Sequence, residues 1–149
     1  MKKLVIMTAL AIAAISASAV EVGLRGTFSS ADNMADSVGV TLGQKYGKFG
    51  VEGAFDRTTR GAVNVNRWSA VGSYDLAVFK KAVIAPKLGY AYITPAVGDN
   101  GGAWTFGVGT SYPVYKQVSL TADYYYQIGQ ARVDAFNGNY FVVGAKYSF

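Results

Sequence analysis

From residue 20 onward, apolar and polar residues alternate, and the alternation recurs in eight stretches. Period two is the mark of a strand, because successive side chains point to opposite faces. Val22, Leu24, Gly26 and Phe28 alternate with Glu21, Gly23, Arg25 and Thr27. Val38, Val40 and Leu42 follow, then Phe49, Val51, Gly53 and Phe55 with Glu52 and Asp56 interleaved or adjoining. Trp68, Ala70, Gly72, Tyr74 and Leu76 alternate with a set that includes Arg67 and Asp75. In the second half the apolar sets are Ile84, Leu88, Tyr90 and Tyr92, interleaved with Lys87, and then Trp104, Phe106, Val108 and Tyr112. The last two are Val118, Leu120, Ala122, Tyr124, Tyr126 and Ile128, interleaved with Asp123, and Phe141, Val143, Ala145, Tyr147 and Phe149, interleaved with Lys146. This predicts eight strands of about nine to eleven residues, the length a tilted strand needs to cross a bilayer. Pro86 has no N–H for a ladder, so the fifth strand is expected to begin late or bend there.

The connectors alternate as well. Residues 46–48, 78–82 and 113–117 are short, whereas residues 30–36, 57–66, 94–102 and 129–138 are longer and rich in turn formers. Short turns at one end and longer loops at the other fit an up-and-down barrel. An even strand number lets the first and last strands pair antiparallel and close the sheet, which removes the edges that lipid does not tolerate.

Volume decides which face points outward. Sixteen of the 21 aromatic residues fall on the apolar face. An eight-stranded barrel has an interior just wide enough for ordinary side chains. Sixteen rings with the aliphatic residues of that face would overfill it. The other face carries mostly Gly, Ala, Ser and Thr with a few charges, and that set fits. The apolar face is therefore expected to meet lipid. Its rings gather near the strand ends as two girdles. Phe28, Phe55, Trp68, Tyr92, Trp104, Tyr126 and Phe141 lie toward the long loops; Tyr46, Phe49, Tyr74, Tyr112, Tyr147 and Phe149 lie toward the short turns. Amphipathic rings prefer the headgroup boundary.

Composition narrows the chemistry. The chain has 149 residues, 15% of them charged, with no Cys and no His. That excludes disulfides, thiol catalysis, the usual zinc ligands and every His-based acid or base, and no catalysis and no cofactor are expected. Met1, Lys2 and Lys3 precede an apolar run over residues 4–15, and Ala17 and Ala19 stand in an A-x-A arrangement. These are the parts of a secretory signal, with cleavage expected after Ala19, so that residues 1–19 are the signal peptide and residues 20–149 the barrel. Cleavage removes two lysines and takes the net charge from +5 to +3, too little and too scattered for nucleic acid.

The charges sort by region. Lys45, Lys48, Lys80, Lys81 and Lys116 are assigned to short turns, and Arg57 and Arg60 to a long loop, where they are a candidate contact for an anionic partner. Glu21, Arg25, Glu52, Asp56, Arg67, Asp75, Lys87, Asp123 and Lys146 point inward. Lone charges in a narrow lumen are costly, so these nine are expected to form an ion-paired network. Asp56 and Arg67 are expected to face each other across one hairpin.

With these features the chain resembles the small eight-stranded outer-membrane proteins of Gram-negative bacteria, those similar to OmpX, to Ail and to the barrel domain of OmpA. The most specific element is the C-terminus, where a terminal Phe149 follows Phe141, Val143, Ala145 and Tyr147 at every second position. That resembles the signal read by the barrel-assembly machinery. The resemblance implies an integral outer-membrane barrel, a monomer in contact with lipid and lipopolysaccharide, that displays four loops to a host or cell-surface ligand. A narrow channel for ions or small solutes stays open as the alternative.

Overall fold

The computed structural model describes residues 19–30, 36–58, 64–130, 133 and 136–149. The expected signal segment other than Ala19, and Arg60, lie outside them. Among the described residues the chain is all strand apart from turns and one short helical residue at Phe136. The strands are β1 (Val20–Ser29), β2 (Ser37–Tyr46), β3 (Phe49–Thr58), β4 (Val65–Tyr74), β5 (Ala77–Phe79), β6 (Ala82–Pro95), β7 (Gly101–Pro113), β8 (Val118–Gly129) and β9 (Gly138–Ser148).

Pairing is antiparallel throughout. It runs in chain order from β1 to β4 and from β5 to β9, β4 also pairs with β6, and β1 pairs with β9, so the sheet closes on itself. The wall has eight strands, because β5 is a short continuation of β4 along the same partner. Between them the register slips. β4 pairs with β6 as far as Ser73 opposite Lys87, while β5 begins with Ala77 opposite Ile84. The β4–β5 side therefore carries one residue more than β6, a bulge in which Tyr74, Asp75 and Leu76 face Ala85 and Pro86. The Leu76 N–H still donates to the Ile84 carbonyl at 3.0 Å, and the Asp75 N–H donates to the Lys48 carbonyl at 2.8 Å. The expected late start at Pro86 is thus corrected. β6 begins at Ala82 and runs through Pro86, which stays in register with Val108 of β7. The irregularity falls on the opposite neighbour, where a ladder donor is missing.

Two-residue turns join β2 to β3 and β5 to β6. Gly47 adopts φ 60° in the first and Lys80 φ 55° in the second. Two positions assigned to connectors belong to strands. Lys45 is in β2, opposite Gly50, and Arg57 is in β3, opposite Val38 and Asn66. The hairpin ladders run further than the polar composition of their ends suggests.

The two faces separate as expected. Leu24 is 69% exposed and its neighbour Arg25 is 7% exposed. Of the sixteen rings placed outward, all are exposed except Phe55 and Tyr74, which are half-buried. Those two are covered by adjacent rings, Trp68 at 4.4 Å and Phe49 at 4.7 Å between centroids. The rows follow the register: Tyr46, Phe49 and Tyr74 are consecutive cross-strand partners near the short turns, and Phe55, Trp68 and Tyr92 near the long loops. Such pairs reinforce the strand pairing that positions everything inside.

Candidate functional site

The inward positions of eight strands meet on the barrel axis, and there the charges form pairs. Asp56 is the centre. Its carboxylate accepts from Arg25 Nε at 2.7 Å, from Arg25 Nη2 at 2.5 Å and from Arg67 Nε at 3.1 Å. Arg25 Nη1 also reaches Glu52 at 3.4 Å. Glu52 pairs with Lys146, which lies 3.7 Å from Glu21. The result is one chain of alternating sign, Arg67, Asp56, Arg25, Glu52, Lys146 and Glu21. It draws on β4, β3, β1 and β9.

Two further pairs stand beside it. Lys87 Nζ is 2.7 Å from Asp123, whose carboxylate also accepts from the Tyr125 hydroxyl at 3.3 Å. Lys45 Nζ is 2.6 Å from Asp75 at the short-turn end. With Lys45 counted inward, there are five bases and five acids, and each has a partner of opposite sign. Lys45 is the network member that sequence reasoning placed elsewhere. The signal was present, since Lys45 continues the odd-numbered inward series of Ser37, Gly39, Thr41 and Gly43.

The two ends of the lumen differ. Toward the long loops, Val65, Ile93, Ala103, Val133, Phe136, Tyr140 and Val142 pack into an apolar cluster. Val133 and Phe136, from between β8 and β9, are both buried in this cluster. The Phe136 carbonyl anchors it, accepting from Gln127 Nε2 at 2.9 Å and from the Tyr140 hydroxyl at 2.7 Å. Gln127 in turn accepts from Arg67 Nη1 at 3.4 Å, and the Arg67 guanidinium lies 5.2 Å from the centre of the Tyr140 ring. The charged chain thus ends against this cluster. Gln127, Val133 and Phe136 were not singled out in the sequence. Gln127 carries no charge, and two apolar residues in a polar connector give no period.

Toward the short turns lies a cavity of about 60 Å³, lined by Glu21, Lys45, Glu52, Asp75, Lys87 and Lys146 among others. It is charged where the other end is greasy. Among the described residues no group of three or more His, Cys, Asp or Glu side chains is arranged to hold a metal ion.

On the exterior, Phe141, Val143, Ala145, Tyr147 and Phe149 all face outward along β9, and the Tyr147 and Phe149 rings are 4.9 Å apart. The Phe149 N–H donates to the Val20 carbonyl at 3.0 Å, so the last residue is tied to the start of β1. Arg57 also faces outward, from β3 and not from the long loop to which it was assigned.

Solved structures of low sequence identity share this fold. A major outer membrane protein from Thermus thermophilus superposes with a TM-score of 0.66 at 13% identity, covering 89% of this chain and all of that one. Neisserial surface protein A gives 0.61 at 14% identity over 89% of this chain and 97% of that one. Ail, the attachment invasion locus protein of Yersinia pestis, gives 0.58 at 18% identity over the same shares. No curated protein sequence matches the chain. One family model does match, described as YfaZ precursor, and it spans residues 1–148; the chain belongs to the YfaZ family.

Proposed function

We propose that this protein is a small integral outer-membrane barrel with a structural and surface-display role. In this reading it is exported with cleavage after Ala19, acts as a monomer, catalyses no reaction and presents four connectors at the long-loop end. The observation that carries the reading is the division of the wall: ten mutually paired charges on one side of it, and an almost uninterrupted apolar belt on the other. Monomeric soluble proteins rarely expose a contiguous apolar patch above a few hundred Å². A belt running around the whole wall needs lipid to cover it, and a closed ladder is one of the two structures that lipid permits.

The interior supports a passive role. A channel needs a continuous polar path, and the buried apolar cluster that includes Val133 and Phe136 supports a filled lumen instead. A narrow channel for ions or small solutes is the second reading, and the cavity at the short-turn end is what favours it.

Membrane fractionation combined with gel mobility tests the first reading. The protein is expected to stay with outer membranes and to change mobility on boiling. Release into buffer without detergent would overturn it. Proteoliposome swelling separates the two readings: small-solute uptake by the wild type would select the narrow channel, and uptake only after Arg25→Ala or Glu52→Ala the filled barrel.

A further inference from the structure

Among the described outward-facing strand residues, Arg57 is the single Asp, Glu, Lys or Arg. It lies one outward position beyond Phe55, a member of the aromatic row at the long-loop end. Two strands away, Gly26 of β1 sits between Val38 of β2 and Val143 of β9. Lacking a side chain, Gly26 leaves a recess in the belt. The recess lies in a shallow, open depression of the outer wall lined by Leu24, Val38, Val40, Phe55 and Val143, with Arg57 at its edge.

Nothing in the fold asks for glycine at this position. A Cβ on Gly26 would meet no atom within 4 Å, and Gly26 is not among the positive-φ glycines. By contrast, the inward Gly39 and Gly109 are held to glycine by the side chains of Asp56 and Asp123. Glycine in a strand weakens it and often marks a close approach by a ligand or another chain. The outward Gly53 and Gly72 also have room for a Cβ; Gly26 is distinguished by lining the depression beside Arg57.

The two features fit one occupant. An acyl chain lying in the depression exchanges apolar contact for apolar contact, with extra area from the recess. Its headgroup then falls at the level of the aromatic row, where Arg57 carries its guanidinium. A guanidinium matches phosphate oxygens in a two-pronged geometry that a neutral headgroup lacks. The cost of a charge on the lipid face also falls toward the headgroup region.

We propose that this depression is a lipid site, which takes one acyl chain of an anionic phosphorylated lipid and holds its phosphate on Arg57. The proposal rests on the outer-membrane reading and names the lipid chemistry that the belt selects.

Native mass spectrometry of detergent-folded protein titrated with lipid A, and with its dephosphorylated form, tests it. The wild type is compared with Arg57→Gln, Gly26→Leu and the double variant. The wild type is expected to hold lipid A about tenfold more tightly than the dephosphorylated form, the margin of a charge-assisted pair. Arg57→Gln should erase that preference. Gly26→Leu should weaken both lipids about severalfold by filling the recess. The double variant should bind lipid A less weakly than the two single losses multiplied, because both residues act on one ligand. Unchanged lipid A affinity in Gly26→Leu would overturn the proposal, since Arg57 would then be gathering headgroups without the depression. So would phosphate preference surviving in Arg57→Gln, or a dimer of the wild type that Gly26→Leu abolishes. Gel mobility of each sample is recorded alongside. Variants that keep the boiling shift but bind like the wild type sink the lipid site alone, whereas a wild type without the shift sinks the membrane reading.

Discussion

Asp56→Ala removes the acceptor at the centre of the lumen. Asp56 is 1% exposed and takes three hydrogen bonds from two guanidiniums. Losing it does not treat the two arginines alike. Arg25 keeps Glu52 at 3.4 Å and Ser69 at 3.3 Å. Arg67 keeps the Gln127 amide oxygen and the Tyr140 ring, neither of which is charged. Breaking a buried pair by deleting one partner costs about 3–5 kcal/mol, mostly because a charge is left uncompensated. One arginine here is half compensated, so the lower end applies, about 3 kcal/mol. Asp75→Ala is the control. Its partner Lys45 is about one-third exposed at the open end, and such a pair contributes at most about 1 kcal/mol. Urea unfolding in micelles, followed by gel mobility and by fluorescence of Trp68 and Trp104, measures both. Asp56→Ala unfolding within about 1 kcal/mol of the wild type, or Asp75→Ala costing as much as Asp56→Ala, would refute a buried, uncompensated arginine as the cause.

Other substitutions test other parts of the account. Leu24→Arg puts a charge on the outer belt and should destabilise the barrel in bilayers by about 2–4 kcal/mol, with a smaller effect in micelles, by the same unfolding assay. Gly107→Ala should cost about 1–3 kcal/mol, because its Cβ would press on the Tyr124 carbonyl oxygen and lie 2.6 Å from Tyr125 Cδ1. Gly53→Ala, whose nearest neighbour would be 3.9 Å away, should be neutral or slightly stabilising in the same measurement. Phe149→Ala is expected to lower the amount of folded barrel recovered from cells while leaving refolding from urea into micelles unchanged; a parallel loss in both would assign Phe149 to stability and not to an assembly signal.

The wall was legible in the sequence because a strand repeats every two residues and the barrel is too narrow for its own aromatic residues. Those two facts place Leu24 outward and Arg25 inward without coordinates. The partner of each charge was partly legible. Asp56 and Arg67 meet because they face each other across one hairpin. Arg25 with Asp56 depends on side-chain reach across β2, which no spacing encodes. Strand ends were the weak point. Lys45 and Arg57 look like connector residues because ladders extend into polar sequence, although each continues the alternation of its strand, Lys45 inward and Arg57 outward. The bulge around Asp75 was signalled by Pro86, but on the neighbouring strand. Val133 and Phe136 were missed because two isolated apolar residues outside the strands leave no periodic trace.

The alternating chain of charges has a consequence for how the polypeptide reaches this state. Glu52 is joined to Arg25 near the beginning of the barrel and to Lys146 near its end. While β9 is absent, Glu52 has only one cation and the first half of the sheet holds an unmatched acid. Arrival of the final strand supplies Lys146 and zips the seam against β1 in the same step. Neutrality of the axis and completion of the cylinder are therefore one event, and a truncated or stalled chain is marked as unfinished by its own electrostatics.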